Sequence, residues 1–119
     1  MRLVSVVNQT RGTTVGENVE LASTSLTRLW GLLGRRGVEA GGGLWIMPSS
    51  GVHTMGMRFP IDVVGLDKNM RVIKVWHELV PYRVTSVNMK MRSVIELAAG
   101  TIRATRIEVG DLLAVTHHP

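Results

Sequence analysis

Apolar positions along this chain recur at two spacings, and the changes between them mark the elements. Leu3 to Val7 is a β-branched apolar run and reads as a first strand. Gln9 to Thr13 is turn-like, and Val19 to Ala22 fits a second, short strand. Leu26, Leu29, Trp30 and Leu33 then follow the i, i+3, i+4, i+7 pattern of an amphipathic helix over about 24–34. Ser23, Thr24 and Ser25 offer N-caps, and Gly34 a stop. Arg35 and Arg36 stand at the negative end of its dipole. Gly31 costs such a helix roughly 1 kcal/mol relative to Ala, which close packing against a strand would explain.

The second half is dominated by period-two segments. Gly37 to Gly43 reads as a mobile, glycine-rich loop; it has no Lys-Ser or Lys-Thr after the glycines and opens no helix, so it is not a phosphate loop. Leu44 to Met47 is a strand ended by Pro48, and Ser49 to Gly51 a turn. Val52 to Met57 reads as extended, as does Phe59 before Pro60. In the strand from Ile61 to Asp67, Ile61, Val63 and Gly65 share one face, and Asp62, Val64 and Leu66 the other. Asp67-Lys68-Asn69-Met70 is a four-residue hairpin turn, and Arg71 to His77 returns antiparallel. Glu78 to Met91 is irregular and should cross one end of the sheet. Ser93 to Leu97 is a strand, Thr101 caps a short helix over about 101–106, and Leu112 to Val115 is a final strand before a frayed His117-His118-Pro119 tail.

These elements predict a single α+β domain spanning 1–119. Its seven or eight short strands should be mainly antiparallel, in a curled sheet or partly open barrel that manages its edges, with the 24–34 helix plugging one side.

Composition narrows the picture. With one Phe, one Tyr and three Trp, the core must be built from Val, Leu, Ile and Met. The absence of cysteine excludes disulfides and thiolate metal sites and suits a reducing cytoplasm, the location expected here. No apolar run approaches the roughly 18 residues of a membrane span, so no membrane is expected. The first residues lack the length and cleavage site of a signal peptide. The net charge of +5 permits weak attraction to acidic partners, but the basic residues are dispersed, so a nucleic-acid partner is not favoured.

The least generic run is Val52 to Val64, where a histidine, a threonine, two methionines, an arginine and a carboxylate interrupt a core-like segment. Asp62 shares a strand face with Val64 and Leu66, so it must be ion-paired with Arg58 or Arg92, capped by main-chain N–H, or placed at a solvated pocket. Glu96 repeats the pattern in a later strand. His53 is a ligand, a base or a satisfied core histidine. No metal is expected, because zinc wants three or four ligands and no His-x-His or His-x-x-x-His spacing occurs. Thr54 is a candidate hydroxyl donor, and Met57 a gap filler or ligand contact. Nothing calls for a cofactor.

Gly43 to Pro48, then Val52 to Asp67, then Val94-Ile95-Glu96-Leu97-Ala98-Ala99-Gly100 and Val109-Gly110-Asp111 stand in the order of the DUF192 (UPF0127) signature, which the chain resembles over roughly residues 20–115. The resemblance implies a small, mainly β, single-domain prokaryotic protein with no established activity, on the cytoplasmic branch of the family. Two departures bear on chemistry. Ser49 stands where many relatives have a Cys, which removes thiol chemistry. Gly65 stands where relatives often have an aromatic, which should loosen packing on its face.

Three function classes follow. The leading one is a small domain binding a small ligand or peptide at a pocket of His53, Thr54, Met57, Arg58 and Asp62, with Glu96 nearby. The second is a hydrolase-like enzyme using Asp62 with Glu96, or His53, as acid and base, which requires those groups to converge. The third is weak nucleic-acid association through net positive charge.

Overall fold

The computed structural model describes residues 2–22, 38–49, 59–79 and 89–117. The helix expected over about 24–34 and the His53–Arg58 stretch lie outside these residues. Seven strands and one short helix are described: β1 (Arg2–Asn8), β2 (Thr13–Ala22), β3 (Gly42–Ile46), β4 (Ile61–Leu66), β5 (Val72–Leu79), β6 (Ser93–Ala98), α1 (Thr101–Thr105) and β7 (Leu113–His117). They form one sheet in the order β5-β4-β6-β3-β2-β1-β7. Every pairing is antiparallel except β2 with β3.

The sheet curls into a half-barrel until its two edge strands meet at one corner. Arg71 bridges Leu112, Val72 N donates to Asp111 O (2.8 Å), and Gly110 N donates to Val72 O (2.7 Å). A right-handed strand twist accumulated over seven strands brings the edges round in this way. Edge strand β5 carries two register shifts against β4, and bulges of this kind blunt an edge against foreign strands.

The central strands bury both faces. Val64 and Leu66 of β4, Trp45 of β3, and Ile95 and Leu97 of β6 join Val4, Val19, Ile102 and Leu113 in one apolar cluster. Ile61, Val63, Leu44, Ile46, Met91 and Val94 form the other, on the opposite face. The expected alternation of β4 is therefore present, and both of its faces are apolar.

Several expectations are corrected. β2 begins at Thr13 rather than Val19; its register shifts against β1 break the alternation that would have marked it. Gly42 and Gly43 belong to β3 and not to a loop. A Cβ on Gly43 would lie 2.5 Å from the Glu96 carbonyl oxygen, so close approach of β3 and β6 demands glycine there. Packing beside Gly65 is not loosened: a Cβ there would fall 2.3 Å from the Met91 sulfur, so buried Met91 occupies the space. His117 lies in β7, opposite Val4, and not in the tail. No helix among the described residues is long and apolar enough to cross a membrane.

Candidate functional site

β3 and β4 lie on either side of β6, and both run antiparallel to it. β3 ends beside Val94, at the start of β6, and continues through a cis Met47–Pro48 bond to Ser49, whose N–H donates to Arg92 O (2.8 Å). β4 begins beside Ala98, at the other end of β6. The chain between them, with His53, Thr54, Met57 and Arg58, therefore connects opposite ends of the sheet; those four residues lie outside the described ones.

Asp62 is fully buried, at 0% exposure. Its Oδ1 accepts the Glu78 N–H (2.9 Å) and its Oδ2 the Ile102 N–H (2.8 Å). Both donors arise from local irregularities. Glu78 has φ +47° where β5 shifts register against β4, which turns its amide out of the ladder. Ile102 lies in the first turn of α1, whose N-cap, Gly100 (φ +92°), has no side chain to offer. The carboxylate fills that role from β4, where a helix N-terminus favours negative charge. Thr101, expected as the cap, is the first helical residue. Neither Arg58 nor Arg92 is needed to explain the burial of Asp62: Arg92 is exposed and its Nη1 points to Met89 O (3.4 Å).

Glu96 is also buried and engaged by a partner, but on the other face. In the β4–β6 register Asp62 faces Leu97, while Glu96 faces Val63. Directly opposed residues share a face, and Leu97 and Val63 belong to different apolar clusters. The two carboxylates thus stand on opposite sides of one strand layer. An acid/base pair of Asp62 with Glu96 is excluded by this geometry.

The sequence reading missed a third buried carboxylate. Asp111 Oδ2 accepts from Asn8 Nδ2 (2.8 Å), Arg11 Nε (2.8 Å) and the Glu108 N–H (3.0 Å). Arg11 also pairs with Glu108, Asn8 Oδ1 accepts from Arg11 N–H (3.2 Å), and Thr10 Oγ1 accepts from Leu112 N–H (2.9 Å). Burial pushes the Asp111 carboxyl up, but the hydrogen bonds from Arg11, Asn8 and the Glu108 amide, with the Arg11 charge, outweigh it and hold it below the ordinary carboxylate range. This cluster sits where the sheet edges meet. The β1–β2 turn and the Val109-Gly110-Asp111 turn were each legible alone, but nothing local joins residues about 100 positions apart.

Trp45 is the second missed residue. Its side chain is 6% exposed on the first cluster's face, between Leu21 of β2 and Ile95 of β6. Its Nε1–H is buried and has no hydrogen-bond partner among the described residues. His77 is exposed on β5, and no group of three His, Asp or Glu among the described residues stands close enough to hold a metal. Two hollows are described. One, of about 290 Å³, is lined by Leu3, Asn18, Glu20 and Glu39 among others. The other, of about 320 Å³, lies between α1 and β2 and touches Thr14, Gly16, Thr101 and Thr105. Neither is lined by Asp62, Glu96 or Trp45.

A seven-stranded, mainly antiparallel half-barrel with both faces of its central strands buried defines the structural class. The chain belongs to the DUF192 family, described as uncharacterized ACR, whose model matches residues 6–115. The match thus reaches back into β1, ahead of the motifs that first carried the resemblance. A UPF0127 protein of Thermococcus kodakarensis is 29% identical over 116 residues, covering 93% of this chain and 73% of that protein. One of Thermococcus gammatolerans is 30% identical over 114 residues, covering 92% and 73%. Among solved structures, a protein of unknown function from Novosphingobium aromaticivorans superposes with a TM-score of 0.80 at 21% identity, covering 94% of this chain and 83% of that one. A protein of Sinorhizobium meliloti, provisionally assigned as a transcription regulator, gives 0.80 at 22%, covering 96% and 92%. At these identities the likeness is one of fold.

Proposed function

We propose that this protein is a small-ligand or peptide-binding domain, with His53, Thr54, Met57 and Arg58 as the recognition side chains and the half-barrel as their frame. The observation that supports the reading is the Trp45 indole N–H. A buried donor left without an acceptor costs about 1–3 kcal/mol, and this one stands on β3, the strand that leads into the His53–Arg58 stretch. A bound oxygen acceptor would satisfy it. In this reading Asp62 serves as a brace for the pocket floor rather than as a ligand contact, since both of its oxygens hold main-chain N–H groups. Glu96, on the opposite face from Trp45, lies outside the pocket. The absence of cysteine is compatible with a reducing compartment such as the cytoplasm.

Native mass spectrometry of gently purified protein, repeated after denaturation, tests this directly. The expected result is a reproducible extra mass that denaturation releases and that His53→Ala and Trp45→Phe each diminish while the variants stay folded. A bare wild-type mass, or a mass that both variants retain in full, would contradict the proposal.

A further inference from the structure

The basic residues are dispersed in sequence, but the fold gathers several at the closing corner of the half-barrel. Arg92 N–H donates to Leu66 O (2.8 Å), which sets the Met89–Arg92 turn beside the β4–β5 hairpin. Gly110 N–H donates to Val72 O (2.7 Å) and Arg71 Nη1 to Gly110 O (2.7 Å), which brings the Val109 loop to the hairpin's other side. Lys68, Arg71, Lys90 and Arg92 are all exposed there, beside Arg11 of the adjoining cluster. Two apolar side chains stand out among them: Met89 at 82% exposure and Val109 at 61%.

The carboxylates do not balance this corner: Asp67 keeps its charge while accepting the Asn69 and Arg71 amides, and Glu108 and Asp111 are shared with Arg11, so these three acids face the five cations Arg11, Lys68, Arg71, Lys90 and Arg92. Segments 23–37, 50–58 and 80–88 contain no Asp or Glu at all, so they have no carboxylate to bring to the corner. Acidic residues gather elsewhere, with Glu20 and Glu39 lining one hollow and Glu17 the other.

We propose that the corner of Lys68, Met89, Arg92 and Val109 is a docking surface for an acidic polypeptide segment that carries an apolar side chain. The cations attract the segment and fix its register, and a flexible Met is suited to seating a partner's apolar group. A nucleic acid fits less well, because the aromatic residues described (Trp45, Phe59 and Trp76) pack against the two apolar clusters and none is at the corner to stack on a base. One Met and one Val bury too little apolar area for a membrane surface.

The test measures binding of a fluorescein-labelled peptide of alternating glutamate and leucine at low and at moderate salt. Competitors are duplex DNA and phosphatidylserine–phosphatidylcholine vesicles. Lys68→Glu with Arg92→Glu should weaken binding by about tenfold or more, whereas Arg103→Glu with Arg106→Glu, the same change in net charge at exposed positions in α1 and at its C-cap, should leave it within about twofold. Met89→Ser, at a side chain too exposed to threaten the fold, should weaken it severalfold with no change in salt dependence. Equal losses from the two charge reversals would reduce the surface to net charge and overturn the proposal. So would absence of peptide binding at low salt, an unchanged affinity for Met89→Ser, or tighter binding of DNA or vesicles than of the peptide.

Discussion

Asp62 and Asp111 are both buried carboxylates, yet the structure handles their charge in opposite ways. Asp62 is satisfied by two main-chain amides and meets no cation among the described residues. Asp111 is satisfied by a guanidinium, a side-chain amide and one main-chain N–H. The first arrangement ties down irregular backbone, the β5 register shift and the cap-less start of α1. The second ties together two turns at the seam of the half-barrel. Asp62 is thus matched to its backbone, while Asp111 is matched to a charge. Sequence reasoning treated Asp62 as the first residue of a site; its geometry is that of a brace.

Asp62→Ala should produce the largest effect in the molecule, because it strands the buried Ile102 N–H and the part-buried Glu78 N–H at about 1–3 kcal/mol each. A loss of about 3–5 kcal/mol in urea unfolding is expected, with Asp62→Asn losing roughly half as much because one oxygen acceptor remains. A loss below about 1 kcal/mol for Asp62→Ala would place the amides' true partner elsewhere. Gly43→Ala comes next: the new methyl meets a main-chain oxygen that cannot step aside, and overpacking of this kind costs about 1–3 kcal/mol.

The seam should respond to pH. The Asp111 pKa is lowered by folding, so the unfolded chain binds the proton more readily. Its stabilisation is complete above the ordinary carboxyl pKa and fades as pH falls below about 4 through the folded value. The stability difference between wild type and Asp111→Asn should therefore be clear at pH 6 and shrink steadily below pH 4. A difference that stays constant down to pH 2 would mean the Arg11 contact contributes nothing. Trp45→Phe should have the smallest effect, within about 1 kcal/mol, because lost ring contacts offset removal of an unpaired donor.

The fold was legible where its signals are local. The Ile61–Met70 strand and turn, the β5 return and the short helix after Thr101 all follow from alternation and turn chemistry within ten residues of themselves. What escaped depends on distance or irregularity. The parallel β2–β3 pair and the early start of β2 are hidden by register shifts and by glycines that look like a loop until β6 lies against them. The face of Asp62 was read correctly from alternation, but its two partners are 16 and 40 residues away, and those of Asp111 up to 103. Only the sheet register revealed that Asp62 and Glu96 cannot meet.

The central claim, that the most site-like carboxylate of the chain is a structural brace, is tested most directly by amide hydrogen exchange at Glu78 and Ile102. In wild type both amides should exchange as slowly as the β4–β6 ladder. In Asp62→Asn at least one should exchange faster by an order of magnitude or more, with α1 loosening alongside it, while the β1–β2 amides keep their protection. Unchanged protection at both amides would contradict the brace and return Asp62 to the list of ligand contacts.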